Sequence, residues 1–235
     1  MNRTFERDIF NSFLSTLSVS YKRRHRVAYL SFLLNSLALL FIVISAYACS
    51  RHRGEDYFPI FNKARWEYGA KIVYANGRTF DGTVINQFDG EIIIQGKRYF
   101  KFISNAEFSI GTTPVKNSEV IYYRVDSNGI YKIDDKRKDK PEYIDMPLPI
   151  PIGVSWISQP PEGNATEVRA EHGGTVEVNG RKYGDCIKVT YTFEDKKTVI
   201  AYYLARDIGI VKGTITRLGT PSSTTEIFLQ KYQHE

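Results

Sequence analysis

The sequence predicts a mainly β protein: an N-terminal transmembrane or signal helix, then an antiparallel β-sheet domain in which two tandem β units can be traced. Three observations lead there. Twenty-three consecutive uncharged residues, Val27 to Cys49, follow the basic cluster Lys22-Arg23-Arg24-His25-Arg26. Beyond residue 65, apolar and polar residues alternate with a period of two. Asn76-Gly77, Asn128-Gly129 and Asn179-Gly180 stand between the alternating runs, and this dipeptide tolerates the positive φ of tight hairpin turns.

Residues 1–26 read as a basic cytoplasmic leader. Phe5, Ile9, Phe10, Phe13, Leu14, Leu17 and Tyr21 recur at helical spacing, which fits an amphipathic helix lying on the inner leaflet. The simpler reading, which we prefer, is an extended n-region with no separate role. Residues 27–49 form the signal or transmembrane segment. A bilayer core of roughly 30 Å takes about 20 apolar residues of helix, so the run is long enough to span. Its most apolar part, Leu37 to Ala48, also suits the h-region of a secretory signal. Positive charge stays in the cytoplasm, so the basic cluster places the globular part on the extracytoplasmic side of a membrane. Membrane lipid is therefore the first expected partner.

Residues 50–146 form the first β unit and residues 147–235 the second. Cys186 to Glu194 alternates cleanly, with Ile187, Val189, Tyr191 and Phe193 on one face and Lys188, Thr190 and Thr192 on the other. Similar strands are expected at 66–74, 79–86, 91–95, 98–108, 119–126, 129–134, 167–171, 174–178, 198–205, 208–217 and 225–232. Features recur in order between the halves. Pro59-Ile60 and Trp66 correspond to Pro149-Ile150 and Trp156, and Gln95 to Tyr99 resembles Asn179 to Tyr183. Tyr122-Tyr123 matches Tyr202-Tyr203. Such echoes suggest duplication into two similar units packed side by side. The joint falls at Asp145 to Pro151, where Pro147, Pro149 and Pro151 break any central strand and suit an extended connector. Asp134 to Lys140 is mixed in sign and reads as a solvated loop.

Charge excludes one class of partner. The formal net charge is +6, but residues 1–27 carry a net +4 of it and residues 50–235 only +2. The globular part is nearly balanced, so no nucleic acid is expected. Without Cys49, Cys186 has no disulfide partner in the chain and reads as a buried small hydrophobe.

Ala46-Tyr47-Ala48-Cys49 resembles the lipobox of bacterial lipoproteins. The resemblance implies that Cys49 is lipidated and becomes the mature amino terminus. Tyr47 stands where a small or aliphatic residue is usual, so an uncleaved signal anchor stays open beside it. Tyr57-Phe58-Pro59, Trp66, Gly153-Val154-Ser155-Trp156 and Ala205 to Lys212 (Ala-Arg-Asp-Ile-Gly-Ile-Val-Lys) match, in order, a pattern of uncharacterised bacterial membrane-anchored lipoproteins. That resemblance implies a tethered β-domain of the cell envelope and brings no catalytic residues.

No catalytic constellation is legible. His25, His52, His172 and His234 lack partners at metal-ligand spacing, and no serine elbow or phosphate-binding glycine run occurs. No metal, cofactor or enzymatic activity is expected. Trp66, Trp156, Tyr123 and Tyr203 are the candidates for a ligand surface. In a strand, Tyr122 and Tyr123, like Tyr202 and Tyr203, point to opposite faces, so one of each pair can face outward. The competing reading makes all of them core residues. The sequence thus predicts a non-enzymatic binding or structural domain for an envelope protein or an apolar ligand. The alternatives are an envelope hydrolase built on two carboxylates that the fold brings together, or an accessory subunit of a membrane complex.

Overall fold

The computed structural model describes residues 57–60, 63–110 and 113–234. The leader, the apolar segment 27–49 and Cys49 lie outside the described residues. Residues Arg53–Glu235 make one compact unit.

Twelve strands build it: β1 (Arg65–Tyr74), β2 (Thr79–Ile94), β3 (Lys97–Ile110), β4 (Thr113–Asp126), β5 (Gly129–Asp134), β6 (Tyr143–Pro147), β7 (Ser155–Ser158), β8 (Thr166–Val178), β9 (Arg181–Phe193), β10 (Thr198–Ala205), β11 (Gly209–Arg217) and β12 (Ser223–Gln233). They form a single sheet in the order β6-β5-β4-β3-β2-β1-β12-β11-β10-β9-β8-β7, and every ladder in it is antiparallel. The first six strands meander to one edge. The chain then crosses to the opposite edge and meanders back, until β12 pairs with β1 from Arg65↔Gln233 to Tyr74↔Ser223. The free edges are therefore β6 and β7, neighbours in sequence, which approach each other without forming a ladder. The sheet is a nearly closed barrel with one seam.

Proline explains where the seam falls. Pro147 ends β6, and Pro149 and Pro151 occupy the crossing to β7. Proline has no N–H for a ladder and is tolerated at edges. The expected connector, Asp145 to Pro151, also holds the last three residues of β6, Asp145 to Pro147. Two pairs of expected strands fuse. Residues 79–86 and 91–95 join into β2 through a bulge at Asp89-Gly90, where Gly90 has φ +78°. Residues 167–171 and 174–178 join into β8 through irregularities around Gly174, at φ +65°.

The hairpin turns differ in kind. Asn179-Gly180 has φ +51° and +77°, and Gln95-Gly96 has +49° and +76°. These are consecutive left-handed residues of the sort that match strand twist. At Asn128-Gly129 the loop is instead Ser127-Asn128, because Asp126 already pairs with Gly129. Glycine is needed there for close approach: a Cβ on Gly129 would lie 2.8 Å from the Met146 carbonyl oxygen of β6.

One end of the barrel is filled. Trp66, Tyr68, Phe88, Val168, Ala170, Leu204, Val211 and Leu229 are buried there. Trp66 stacks on Tyr232 at 5.3 Å and meets Phe88 edge-on at 5.9 Å. Phe58 enters from the N-terminal side and packs against Tyr123 at 5.0 Å. Each large side chain so buried stabilises the fold by about 1.5–3 kcal/mol.

The outer face of β2 to β5 has a core of its own. Ile94, Tyr99, Tyr122 and Ile133 are buried there, on the far side of the sheet from the lumen. The stretch Asp134 to Lys140, expected as a solvated loop, does expose Asp135, Lys136, Lys138 and Asp139, and segment 135–142 also folds beside this core and is tied down at several points. Tyr122 donates to Asp135 at 2.8 Å, and Gln95 donates to the carbonyls of Lys138 and Lys140. Arg124 grips Glu142 with two hydrogen bonds of 2.8 and 2.7 Å. Tyr99 donates to the same carboxylate at 2.6 Å, and Lys97 completes the cluster.

Burial opposes the charge on Glu142, but Arg124, Lys97 and Tyr99 together pull its carboxyl down from 4.5 to about 2. Because the folded value lies below the unfolded one, this stability is full above the ordinary value and is lost as pH falls towards 2. Glu142→Gln should therefore lower the thermal midpoint at pH 7, by about 1–2 kcal/mol of stability after allowance for solvent screening. The gap should narrow from about pH 4 downward and close as pH falls through about 2. Thermal melts across that range test it; an unchanged gap at low pH would contradict the assignment.

Candidate ligand site in the barrel lumen

The other end of the barrel holds a cavity of about 720 Å³. Its floor is Phe58, Met146, Leu204 and Ile210, where the filled end begins. Glu119 and Asn164, which are exposed, lie at its mouth with Pro160 and Phe193. Between them the wall is polar and aromatic: Tyr123 of β4, Lys132 and Asp134 of β5, Tyr143 and Asp145 of β6, Tyr191 of β9 and Tyr202 of β10.

Alternation alone explains Lys132 and Asp134. Ile130, Lys132 and Asp134 share one face of β5, and Tyr131 and Ile133 share the other. The usual expectation is apolar inside and polar outside. Here Ile133 is buried in the outer core beneath segment 135–142, so the polar face points into the lumen. Asp145 follows the same rule from Tyr143, two residues before it on the lumen face of β6, but Met146, which also lines the lumen, needs a second device. Ile130 pairs with Met146 but Tyr131 pairs with Ile144, so Asp145 is the extra residue of a bulge. Bulges re-aim side chains, and this one turns Met146 inward beside Asp145.

Lys132 Nζ lies 3.9 Å from Asp134 Oδ1. Burial works against the Lys132 ammonium, yet Tyr123, Asp145, Tyr143 and Asp134 around it raise its affinity for the proton above that of free lysine. Asp145 is pushed upward, first by burial and then by like charge on Asp134, against the pull of Lys132 and a hydrogen bond from Tyr191. Burial, the largest cause, carries the phenols of Tyr143 and Tyr202 up to about 12. They are neutral at physiological pH and available as donors. The lumen therefore offers fixed charge, hydroxyl donors and aromatic faces above an apolar floor.

The four expected ligand-surface residues are not one cluster. Tyr123 lines the lumen. Trp66 is buried in the filled end, with its Nε1 donating to the Ile208 carbonyl at 2.6 Å. Trp156 sits on β7 at the seam, and its Nε1 donates to the Asp145 carbonyl of β6 at 3.1 Å. Tyr203 lies on the other face of β10 from the lumen-lining Tyr202. The tyrosine pairs are in fact face-shifted. Tyr123 and Tyr202 face the lumen, whereas Tyr122 and Tyr203 face away. The β10–β11 hairpin has a three-residue loop, 206–208, and a bulge at Val211; the β4–β5 hairpin has a two-residue loop and no shift. One added residue exchanges faces in a strand.

Lys132, Asp134, Tyr143, Asp145 and Tyr191 were not singled out from sequence. Two signals were available: Tyr191 stands on the apolar face of the Cys186 to Glu194 run, and Ile130-Tyr131-Lys132-Ile133-Asp134 alternates plainly although its inward face is not marked. Cys186 is buried, and its thiol meets the Tyr183 carbonyl at 3.4 Å. Burial pushes it up, away from reactivity.

No protein-family model and no curated protein matches the chain. Two solved structures align with it. One is a protein described as exported, with a YmcC-like fold, from Bacteroides fragilis: 12% identical, covering 75% of this chain and 98% of that one, at a TM-score of 0.39. The other is described as a lipoprotein from Parabacteroides distasonis: 14% identical, covering 75% and 98%, at 0.33. At these distances nothing about ligands or location transfers.

The seam hydrogen bond can be tested directly. Trp156→Phe keeps the ring but removes the donor, at a cost of about 1 kcal/mol. Amide hydrogen exchange in β6 and β7 should speed up several-fold, while the β1–β12 ladder stays unchanged. Equal acceleration in both places would show that Trp156 acts through general packing.

Proposed function

We propose that the chain is a membrane-tethered module of a bacterial cell envelope that binds a small, largely apolar ligand inside its barrel and performs no chemistry on it. The observation that carries this reading is the lumen itself. Ligand cavities are concave, mostly apolar and furnished with a few well-placed polar groups, in the range of about 300–1,000 Å³. Small barrels whose interior is not filled by side chains use that space for a ligand. The tether rests on the apolar run 27–49 and its basic flank, and lipid attachment on the resemblance at Cys49.

One observation favours a second reading, the envelope hydrolase. Asp134 and Asp145 share the lumen, and Asp145 has the raised proton affinity of a general acid. Both carboxylates also face Lys132, which suits charge balance as well as catalysis.

Native mass spectrometry of the full-length chain from lipid nanodiscs separates these readings. A binding module should carry one intact small molecule, lost in Ile200→Trp, which fills the lumen, with the thermal midpoint held within a few degrees. A hydrolase would instead release product on mixing with envelope extract, and Asp145→Asn would stop that release. A wild-type chain that never carries a ligand counts against the binding module. The tether has its own readout. Peptide mass spectrometry should find a diacylglyceryl-modified Cys49 as the mature terminus, and an intact Met1 would favour the uncleaved anchor.

A further inference from the structure

The charged residues of the lumen are out of balance. Among the described residues lining it, Glu119, Asp134 and Asp145 are acidic and Lys132 alone is basic. Lys132 lies 3.9 Å from Asp134 and also faces Asp145, so one ammonium serves two carboxylates. Glu119 adds further negative charge at the mouth. Enclosed charge that lacks a partner costs several kcal/mol per ion, because water no longer solvates it fully. An anionic ligand would deepen the imbalance, a neutral one would leave it, and a cationic one would relieve it.

The aromatic wall points the same way. Tyr191 and Tyr202 meet edge-on at 6.2 Å, with Tyr123 and Tyr143 on neighbouring strands of the same cavity. The faces of such rings attract cations, and the attraction strengthens when the site is dry. Below them the floor of Phe58, Met146, Leu204 and Ile210 carries no charge, so it accepts an apolar body.

We infer that the ligand of the lumen is an organic cation: an ammonium group held by Asp145, Asp134 and the tyrosine rings, on an apolar body seated against the floor. This inference rests on the reading of the lumen as a binding site and adds the chemical class of its occupant. The bulge at Asp145 then has a purpose. It lets Met146 join the floor directly beside Asp145, whose carboxylate shares the lumen face with Tyr143 two residues earlier.

Isothermal titration of the full-length chain in lipid nanodiscs tests it, with empty nanodiscs as the blank. Three probes share one pyrenylbutyl body and differ in charge: the amine, the alcohol and the carboxylic acid. The amine should bind at least about tenfold more tightly than the alcohol, with the acid weakest. Asp145→Asn should bring the amine down to the level of the alcohol and leave the alcohol itself unchanged. Asp134→Asn, away from the seam, gives the same comparison if the first variant fails to fold. An alcohol or acid that equals the amine overturns the cation and leaves the lumen as a binding site. A chain that binds none of the three overturns the lumen reading, and the cation with it.

Discussion

The ladder between the first strand and the last is the constraint on which the rest depends. β1 and β12 pair over their whole lengths, which sets the two ends of the chain's sheet side by side in its middle. Once that pairing exists, the free edges must fall at β6 and β7. A long unpaired edge would be a template for other chains. Here the edges are short, bounded by proline, and brought together by a crossing of a few residues. Sheet curvature does the remainder, and a lumen follows because twelve strands enclose more volume than inward side chains fill.

Filling is uneven, and the unevenness makes the site. At one end Trp66, Tyr68, Phe88 and Leu229 occupy the interior, and Phe58 adds a ring from the N-terminal side. At the other end the inward residues of β5 are Lys132 and Asp134. Their placement would be a folding error in a barrel with a bare outer face. It is stable because Ile133, Tyr122, Tyr99 and Ile94 find burial outside, where the Arg124–Glu142 cluster anchors segment 135–142. The outer core thus permits the polar lumen. Its hydrophobic stabilisation, about 1.5–3 kcal/mol for each large side chain, offsets the desolvation of the charged groups within.

Much of the β architecture was legible in sequence, and the reasons are local. Alternation in Cys186 to Phe193 and the left-handed turn at Asn179-Gly180 are properties of a few adjacent residues. Strand order was not legible, because the pairing of Trp66 with Tyr232 joins residues at opposite ends of the domain. The fused strands β2 and β8 were hidden for a related reason: glycine marks a turn and a bulge with the same residue type. β6 and β7 were hidden by their prolines, which exclude central strands but not edges. The site was the least legible part. Tyr123, a candidate from sequence, lines the lumen, but on β10 the lumen-lining tyrosine is Tyr202 and not Tyr203, because the longer loop of the β10–β11 hairpin exchanges the faces. Asp145 was read as part of a connector. Neither its inward aim nor the outer cover over Ile133 is encoded in any short window.

Asp145 joins the two themes. Its side chain stands in the lumen with Lys132 and Tyr191, and its carbonyl accepts the Trp156 hydrogen bond that bridges the seam. A full ladder holds β1 to β12, whereas β6 and β7 form no ladder and are bridged by the Trp156 hydrogen bond, worth about 1 kcal/mol. Local opening runs through the regions with fewest paired backbone groups, so the seam is where this barrel gives first. The residue that answers to such opening is the same one that sets the charge of the cavity. Changes in lumen charge and changes in seam closure are therefore coupled through one backbone bulge. That coupling arises because one edge residue holds its carboxylate in the lumen and its carbonyl in the bond that bridges the seam.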